Sequence, residues 1–211
     1  MLTLLQMNLS TKLQLPKFLT INFIRNLIMK ILLNNVRLAF PTLFNPRTVN
    51  GEGEPAFSAT FLICPDDPQV KAINKAIDRV AQDKWGAKSD AVLKQMRAQD
   101  KTALHDGDLK SDYDGFAGNL YISARNKIRP LVLDADKTPL VESDGKPYGG
   151  CYVNASIEFW AQDNNYGKRV NAQLRGVQFL RDGDAFAGGG AASEDEFDDV
   201  SSDFETADDL V

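Results

Sequence analysis

A strict alternation of apolar and polar residues between positions 148 and 160 is the feature that most constrains how this chain folds. Successive side chains of a β-strand point to opposite faces of a sheet, so one of the two sets belongs to a core. The apolar set is Cys151, Val153, Ala155, Ile157 and Phe159, and the other set is Tyr152, Asn154, Ser156, Glu158 and Trp160. We predict a strand that is buried on one side and presents two large aromatic rings on the other.

Four further segments share this period of two, at residues 30–40, 56–64, 118–130 and 168–181. In the first, the predicted core side is Leu32, Val36, Leu38 and Phe40. In the last, the apolar residues move from even to odd positions after Gly176, which predicts a β-bulge there. The core residues expected from the segment at 56–64 and from the opening strand are Phe57, Phe61, Val153, Ile157 and Phe159, to which we add Trp85 and Phe116.

Two helices are expected between the second and third strands. The first begins within residues 65–68, where prolines and acids favour a helix start, and ends at Trp85 and Gly86. The second runs from Ser89 to about Gln99. Residues 101–118 are polar and predict a loop, and residues 131–141 predict a short hairpin.

Charge is distributed very unevenly along the chain. Residues 182–211 contain 11 of the 29 acidic residues and none of the 24 basic ones, which leaves the rest of the chain with a net charge of +6. Three consecutive glycines at 188–190 precede most of these acids and predict a flexible hinge. We expect a disordered acidic tail over residues 182–211, in which Phe197, Phe204, Asp208 and Asp209 dock to a partner protein.

Residues 1–28 are apolar and free of acids, but polar residues interrupt them too often for a membrane span or a secretory signal. A strand pattern begins directly after Met29. We therefore expect an N-terminal extension or poorly packed arm upstream of a start at Met29, with a membrane-surface helix as the alternative. The two cysteines have no zinc-site spacing, and we expect a cytoplasmic protein.

Cations and aromatic rings share the polar faces of several predicted strands. Single-stranded nucleic acid needs both, because cations pair with phosphates and flat rings stack on bases. The candidates for base stacking are Tyr121, Tyr152, Trp160 and Tyr166. The candidates for phosphate contact are Arg37, Arg125, Lys127, Arg129, Lys168, Arg169 and Arg175.

These features together predict a mainly β fold with inserted helices, an α+β arrangement over residues 29–181. The architecture that suits them is the five-stranded Greek-key barrel of the oligonucleotide-binding (OB) fold. The acidic tail would compete with DNA for the basic surface, since it is tethered at high effective concentration. Salt would screen that competition.

Two other functions fit parts of the sequence. Asp106, Asp108, Asp112 and Asp114 could bind a divalent metal in a nuclease, although they lack the register of an EF-hand loop. A protein-interaction module that uses its acidic tail is the second alternative. The chain has no GxSxG, P-loop, GxGxxG or HExxH motif and only one histidine, so we expect no catalysis and no cofactor.

Five motifs resemble a family of tailed-phage proteins that was long catalogued as a domain of unknown function. They are VRLAFPTLF at 36–44, FSATFLI at 57–63, YDGF at 113–116, Arg129-Pro130 and YGGCYVN at 148–154. The resemblance covers residues 29–181 and extends to the acidic character of the tail. It implies a single-stranded-DNA-binding protein with an OB fold, acting in phage DNA replication or recombination in the host cytoplasm. It also implies that the tail recruits replication proteins, and it leaves self-association open.

Overall fold

The computed structural model describes residues 29–49 and 52–186. Two α-helices are present in this part of the chain, α1 (Gln69–Trp85) and α2 (Ser89–Ala98). The strands are β1 (Met29–Val49), β2 (Glu52–Ile63), β3 (His105–Asp106), β4 (Leu120–Asn126), β5 (Leu131–Leu133), β6 (Tyr152–Asn164) and β7 (Gly167–Arg181). The predicted N-terminal extension (1–28) and the tail residues Phe197, Phe204, Asp208 and Asp209 lie outside the described residues.

Five of the strands close into a barrel. β1 pairs antiparallel with β2 and with β6, while β2 pairs with β4 and β6 pairs with β7. A parallel bridge between Ala124 of β4 and Ala172 of β7 joins the two ends of the sheet. The short strands β3 and β5 extend it beside β4 and β7. The predicted OB-type barrel is confirmed.

The barrel interior holds the core that the alternation predicted. Phe61, Val153, Ile157 and Phe159 have no solvent exposure, and Phe57 is also buried. Helix α1 covers this core with a stripe at helical spacing, formed by Ile73, Ala76, Ile77, Val80 and Ala81. Helix α2 adds Leu93 and Met96. Trp85 packs against the same core while remaining partly exposed.

Strand β1 departs from the predicted pattern at two positions. Leu32 and Phe40 were expected in the core, but their side chains are 58% and 53% exposed. A register irregularity between Leu33 and Val36 reverses which side chains face inward, and another follows Ala39. The prediction was wrong because a strict period of two cannot follow a strand through such irregularities. The bulge predicted at Gly176 is present, as a register shift opposite Ser156 and Ile157.

The segment between α2 and β4 packs against the outside of the barrel. It contains β3 and a short 3₁₀-helix (Gly107–Lys110), and it places Phe116 in a second buried cluster with Ala39, Leu62 and Tyr121. Phe116 is therefore buried as predicted, although outside the barrel rather than in it. Within residues 29–49 and 52–186, no helix is long and apolar enough to cross a membrane.

Replacing Phe116 with alanine should destabilise the protein. The side chain is fully buried, so the change leaves a cavity, and we expect the free energy of unfolding to fall by about 3 kcal/mol. Urea unfolding followed by circular dichroism measures this. Leu109→Ala in the same segment, where the side chain is 68% exposed, is the control and should stay within about 0.5 kcal/mol of the parent. Equal stability of the two variants would contradict the assignment of Phe116 to a buried cluster.

Candidate nucleic-acid interface

A groove of about 790 Å³ runs along the outside of the barrel where β4 and β7 meet. Its surface includes Ser123 and Asn126 from β4 and Asn171 and Gln173 from β7. Trp160 and Gln162 of β6 line it beyond β7. Residues 101–105 and the β1–β2 hairpin, at Gly53 and Glu54, complete the lining. Side chains from strands that are distant in sequence thus share one surface.

Four of the predicted DNA-contact residues line this groove. They are Arg125 and Lys127, at the end of β4, Trp160 on β6 and Arg169 on β7. The closure of the barrel brings them together, because it places the outer face of β4 beside the outer faces of β7 and β6. The groove therefore combines three of the predicted cations with one of the predicted aromatic rings.

The β1–β2 hairpin contacts two of these cations through one residue. The Lys127 Nζ forms an ion pair with the carboxylate of Glu54, and the Arg125 Nη2 donates a hydrogen bond of 2.6 Å to the Glu54 backbone oxygen. The hydrogen bond and charge of Lys127 lower the pKa of the Glu54 carboxyl. Both members of the ion pair are exposed, and such pairs contribute little to stability. A phosphate group could therefore replace the carboxylate at Lys127.

Amide side chains continue the groove beside Trp160. The Asn171 Nδ2 donates to the Gln162 Oε1 at 3.2 Å, and the Gln162 Nε2 donates to the Asn164 Oδ1 at 3.1 Å. Each amide offers both donors and acceptors. This row can form hydrogen bonds with any nucleobase edge without strict selection.

Tyr121 does not provide the exposed ring that the sequence predicted. Its side chain is only 5% exposed, and its ring is stacked with that of His105 at a centroid distance of 4.9 Å. The His105 Nδ1 is in turn 2.7 Å from the Asp100 Oδ1. Burial, followed by the charge of Asp100, raises the pKa of the Tyr121 hydroxyl. The segment before β4 folds over this end of the outer face, which the alternation of β4 alone could not reveal.

Arg37 and Tyr152 lie away from the groove and hold the segment that leads into the acidic tail. The Arg37 Nη2 donates to the Asp184 backbone oxygen at 2.8 Å, and its guanidinium carbon lies 4.5 Å from the centroid of the Phe186 ring. The Tyr152 ring has the Arg181 guanidinium carbon 3.4 Å from its centroid. The Tyr148 hydroxyl is 3.0 Å from the Asp182 Oδ1. Residues 182–186 are thus packed on the body, where a disordered tail was predicted to begin.

Three more predicted cations have partners outside the groove. The Arg175 Nε is 3.4 Å from the buried carboxylate of Glu158, and the Arg129 guanidinium lies 5.7 Å from the Phe44 ring centroid. The Lys168 Nζ donates to the Asp163 Oδ2 at 2.7 Å.

Asp163 and its partners lie on the opposite side of the β6–β7 hairpin from Trp160, because residue 163 has the parity of the core residue Phe159. The Trp85 Nε1 also donates to the Asp163 Oδ2, at 2.8 Å. Hydrogen bonds from Lys168 and then Trp85 lower the pKa of this carboxyl. Tyr166 is 88% exposed at the tip of the same hairpin and remains a predicted contact.

Sequence reasoning missed several residues of this surface. Lys101 and His105 line the groove although they fall in a segment predicted as a loop. Phe40 and Tyr113 form an exposed pair of rings, 5.2 Å apart and nearly perpendicular. An aromatic residue in a polar loop could have indicated Tyr113. No sequence signal indicated Phe40, because its exposure depends on the irregular pairing of β1.

Two of the four carboxylates proposed for a metal site, those of Asp106 and Asp108, accept hydrogen bonds from the local backbone. The Asp106 Oδ1 accepts from the Asp108 amide at 3.0 Å, and the Asp108 Oδ1 accepts from the Gly118 amide at 2.7 Å. Across the residues that the structure describes, no group of three or more His, Cys, Asp or Glu side chains could hold a metal ion.

Known proteins resemble this chain in both sequence and fold. The family model described as the Enterobacter phage Enc34 ssDNA-binding protein matches residues 29–211. A putative protein p50 from Acyrthosiphon pisum secondary endosymbiont phage 1 is 53% identical over 176 residues, which cover 82% of this chain and 95% of that protein.

Solved structures extend the comparison. The single-stranded DNA-binding protein of bacteriophage Enc34, solved in complex with ssDNA, aligns with a TM-score of 0.62 and 30% identity over 74% of this chain and 88% of that chain. The gp2.5 single-stranded DNA binding protein of bacteriophage T7 aligns with a TM-score of 0.51 over 87% of this chain and 98% of that chain. At 13% identity, the latter supports the fold alone. The Enc34 protein, which matches this chain in both the family model and a solved structure, is a single-stranded DNA-binding protein, in agreement with the prediction of a non-catalytic protein. The chain belongs to the family of the Enterobacter phage Enc34 ssDNA-binding protein.

Proposed function

We propose that this protein binds single-stranded DNA without sequence preference and protects it during phage DNA replication or recombination in the host cytoplasm. The observation that carries the proposal is the groove in which Trp160 lies with Arg125, Lys127 and Arg169. The Trp160 ring offers a stacking surface to any base, and these three cations pair with phosphates. Family membership and the ssDNA complex of the Enc34 protein support the same conclusion.

The position of the groove agrees with how OB folds bind oligonucleotides. That fold uses the face of its second and third strands together with the loops between strands one and two and between strands four and five. In this barrel the corresponding elements are β2 and β4, the β1–β2 hairpin and the β6–β7 hairpin. Tyr166, at the tip of the second hairpin, would stack on a base that leaves the groove.

Substitutions in the groove should separate stacking from charge. Trp160→Ala should weaken binding to an oligothymidine by roughly fivefold to a hundredfold, since one base loses its stacking partner. Arg125→Ala should weaken binding and also reduce the slope of log affinity against log salt by about 0.7, because one phosphate contact is lost. Fluorescence anisotropy at several salt concentrations measures both quantities.

Arg79→Ala, which changes an exposed cation of α1 outside the groove, is the matched control. It should alter neither the affinity nor the slope appreciably. If the α1 variant and the groove variants behaved alike, the groove would not be the binding site.

We further propose that the acidic tail competes with DNA for the groove and binds other phage or host replication proteins through Phe197 and Phe204. The described chain ends at Phe186, and the 25 residues that follow could span about 80 Å when extended. This length exceeds the dimensions of a small barrel, so the tail's carboxylates can reach the groove. Tethering gives them a high local concentration.

Neutralising the tail tests this competition without shortening the chain. We expect a variant in which the acids of residues 194–209 are replaced by Asn and Gln to bind oligothymidine several-fold more tightly at low salt. The difference should shrink as salt rises, because screening weakens the tail–groove attraction. Titration of both proteins at low and high salt measures it. Equal affinities at low salt would reject the competition and leave DNA binding itself unaffected.

Glu54 should also compete with DNA, because its carboxylate forms an ion pair with Lys127 in the groove. Glu54→Gln should tighten DNA binding about two- to fivefold and increase the salt slope by up to about 0.7, as Lys127 becomes free to bind a phosphate. In the background of Lys127→Ala the same substitution should have little effect. Asp90→Asn, at an exposed acid of α2 outside the groove, is the matched control. A tighter complex with both neutralised variants would indicate only a general effect of net charge.

A further inference from the structure

The exposed rings of Phe40 and Tyr113 contact each other on the surface, and we call them the aromatic pair. Both rings are about half exposed, and they meet edge to face at 5.2 Å. The fully buried ring of Phe116 supports them from below, at centroid distances of 5.7 Å from Phe40 and 5.9 Å from Tyr113. Two large apolar rings are thereby held in a defined geometry while they face solvent.

The backbone at Phe40 makes this exposure more notable. Its φ angle is +48°, in the left-handed region that aromatic residues rarely adopt. The strand pairing is irregular at the same place, between Ala39 and Thr42. A strained backbone that exposes an apolar ring is unfavourable for stability on two counts, and such features concentrate at binding sites.

The aromatic pair lies on the same outer surface as the groove, at the distance of two neighbouring strands. Arg125 on β4 pairs in register with Ser58 on β2, and Ser58 pairs with Thr42 on β1, two residues after Phe40. Adjacent strands are about 4.8 Å apart, so the path from β4 to β1 is about 10 Å. Nucleotides next to those in the groove can cover such a distance.

The surface between the groove and the aromatic pair carries short, polar side chains. The residues there are the partly exposed Ser58 of β2 and the exposed Ser123 of β4, and the Ser123 hydroxyl is 2.9 Å from that of the buried Thr60. No large side chain from these positions stands in the path of an extended strand. The Arg129 guanidinium beside Phe44 adds a cation near β1.

Charged residues near the aromatic pair indicate how a DNA strand would lie across it. The exposed Asp112 directly precedes Tyr113 in the sequence, so its negative charge disfavours phosphates on the loop side of the aromatic pair. The cation Arg125 lies on its other side, on β4. A nucleic-acid strand that leaves the groove would therefore place its bases on the rings and keep its phosphates toward β4.

We propose that the aromatic pair is a second stacking subsite for single-stranded DNA, which takes one or two bases beyond those held in the groove. This inference rests on the proposed function, since it extends the same interface. The chemistry it requires of the ligand is an unpaired nucleobase, whose flat face matches an exposed ring.

The test uses the full chain and oligothymidines of two lengths, roughly four nucleotides to fill the groove alone and roughly sixteen to extend beyond it. Phe40→Asn removes the ring while keeping a residue that tolerates positive φ, and Tyr113→Ser removes the second ring. Each variant should weaken binding of the long oligonucleotide by fivefold or more and leave the short one within about twofold. Tyr113→Phe, which keeps the ring, and Leu109→Ser, at an exposed apolar position of the same segment, should bind both like the parent.

The outcomes separate this inference from the proposed function. Unchanged affinity of both ring-removing variants for the long oligonucleotide would overturn the subsite while leaving DNA binding by the groove intact. A change in self-association, measured by sedimentation, with unchanged DNA affinity would overturn it in favour of a protein contact. If the parent bound neither oligonucleotide at low salt, the proposed function and the subsite would both fail. Photocrosslinking of 5-iodouracil in the long oligonucleotide to Tyr113 or Phe40 would support the subsite directly.

Discussion

The closure of the barrel between β4 and β7 is the contact on which the interface depends. Ala124 and Ala172 form the parallel bridge, and both side chains are buried. The Asn126 side chain strengthens the junction by donating to the Leu174 backbone oxygen at 2.8 Å, in a buried position where an unpaired amide would be costly. This junction places the cations of β4 beside Trp160 and Arg169. Without it, the two faces would belong to separate edges of an open sheet.

Two sets of acidic groups can oppose DNA binding, one inside the groove and one outside it. Glu54 lies within it and pairs with Lys127, whereas the acidic tail follows a segment that Arg37 and Tyr148 hold against the body. The Glu54–Lys127 ion pair is local and exposed, so DNA can displace it at small cost in free energy. We propose that the tail acts through its tether and its number of charges. In our proposal both lower the affinity of the free protein, so that bound DNA can be exchanged.

The sequence predicted the core better than the surface. Phe61, Val153, Ile157 and Phe159 were placed correctly because burial imposes a period that can be read directly. Tyr121 was misassigned because another segment, carrying His105 and Phe116, covers its ring. Arg37 proved to hold residues 182–186 rather than line the groove, since Asp184 and Phe186 are distant in sequence. Exposure of an outward-facing side chain depends on what packs over it, and alternation carries no such information.

By itself, the sequence determined a β-barrel core, two covering helices, a basic body and an acidic end, because hydrophobic periodicity and charge composition are local properties. It also supplied the right kinds of residue for DNA, namely aromatic rings and cations on strand faces. Only the tertiary structure decided which of them lie together. Strand pairing selected Arg125, Lys127, Trp160 and Arg169 for one groove, and the irregular pairing of β1 turned Phe40 outward. Such choices arise from contacts between distant segments, which no single stretch of sequence encodes.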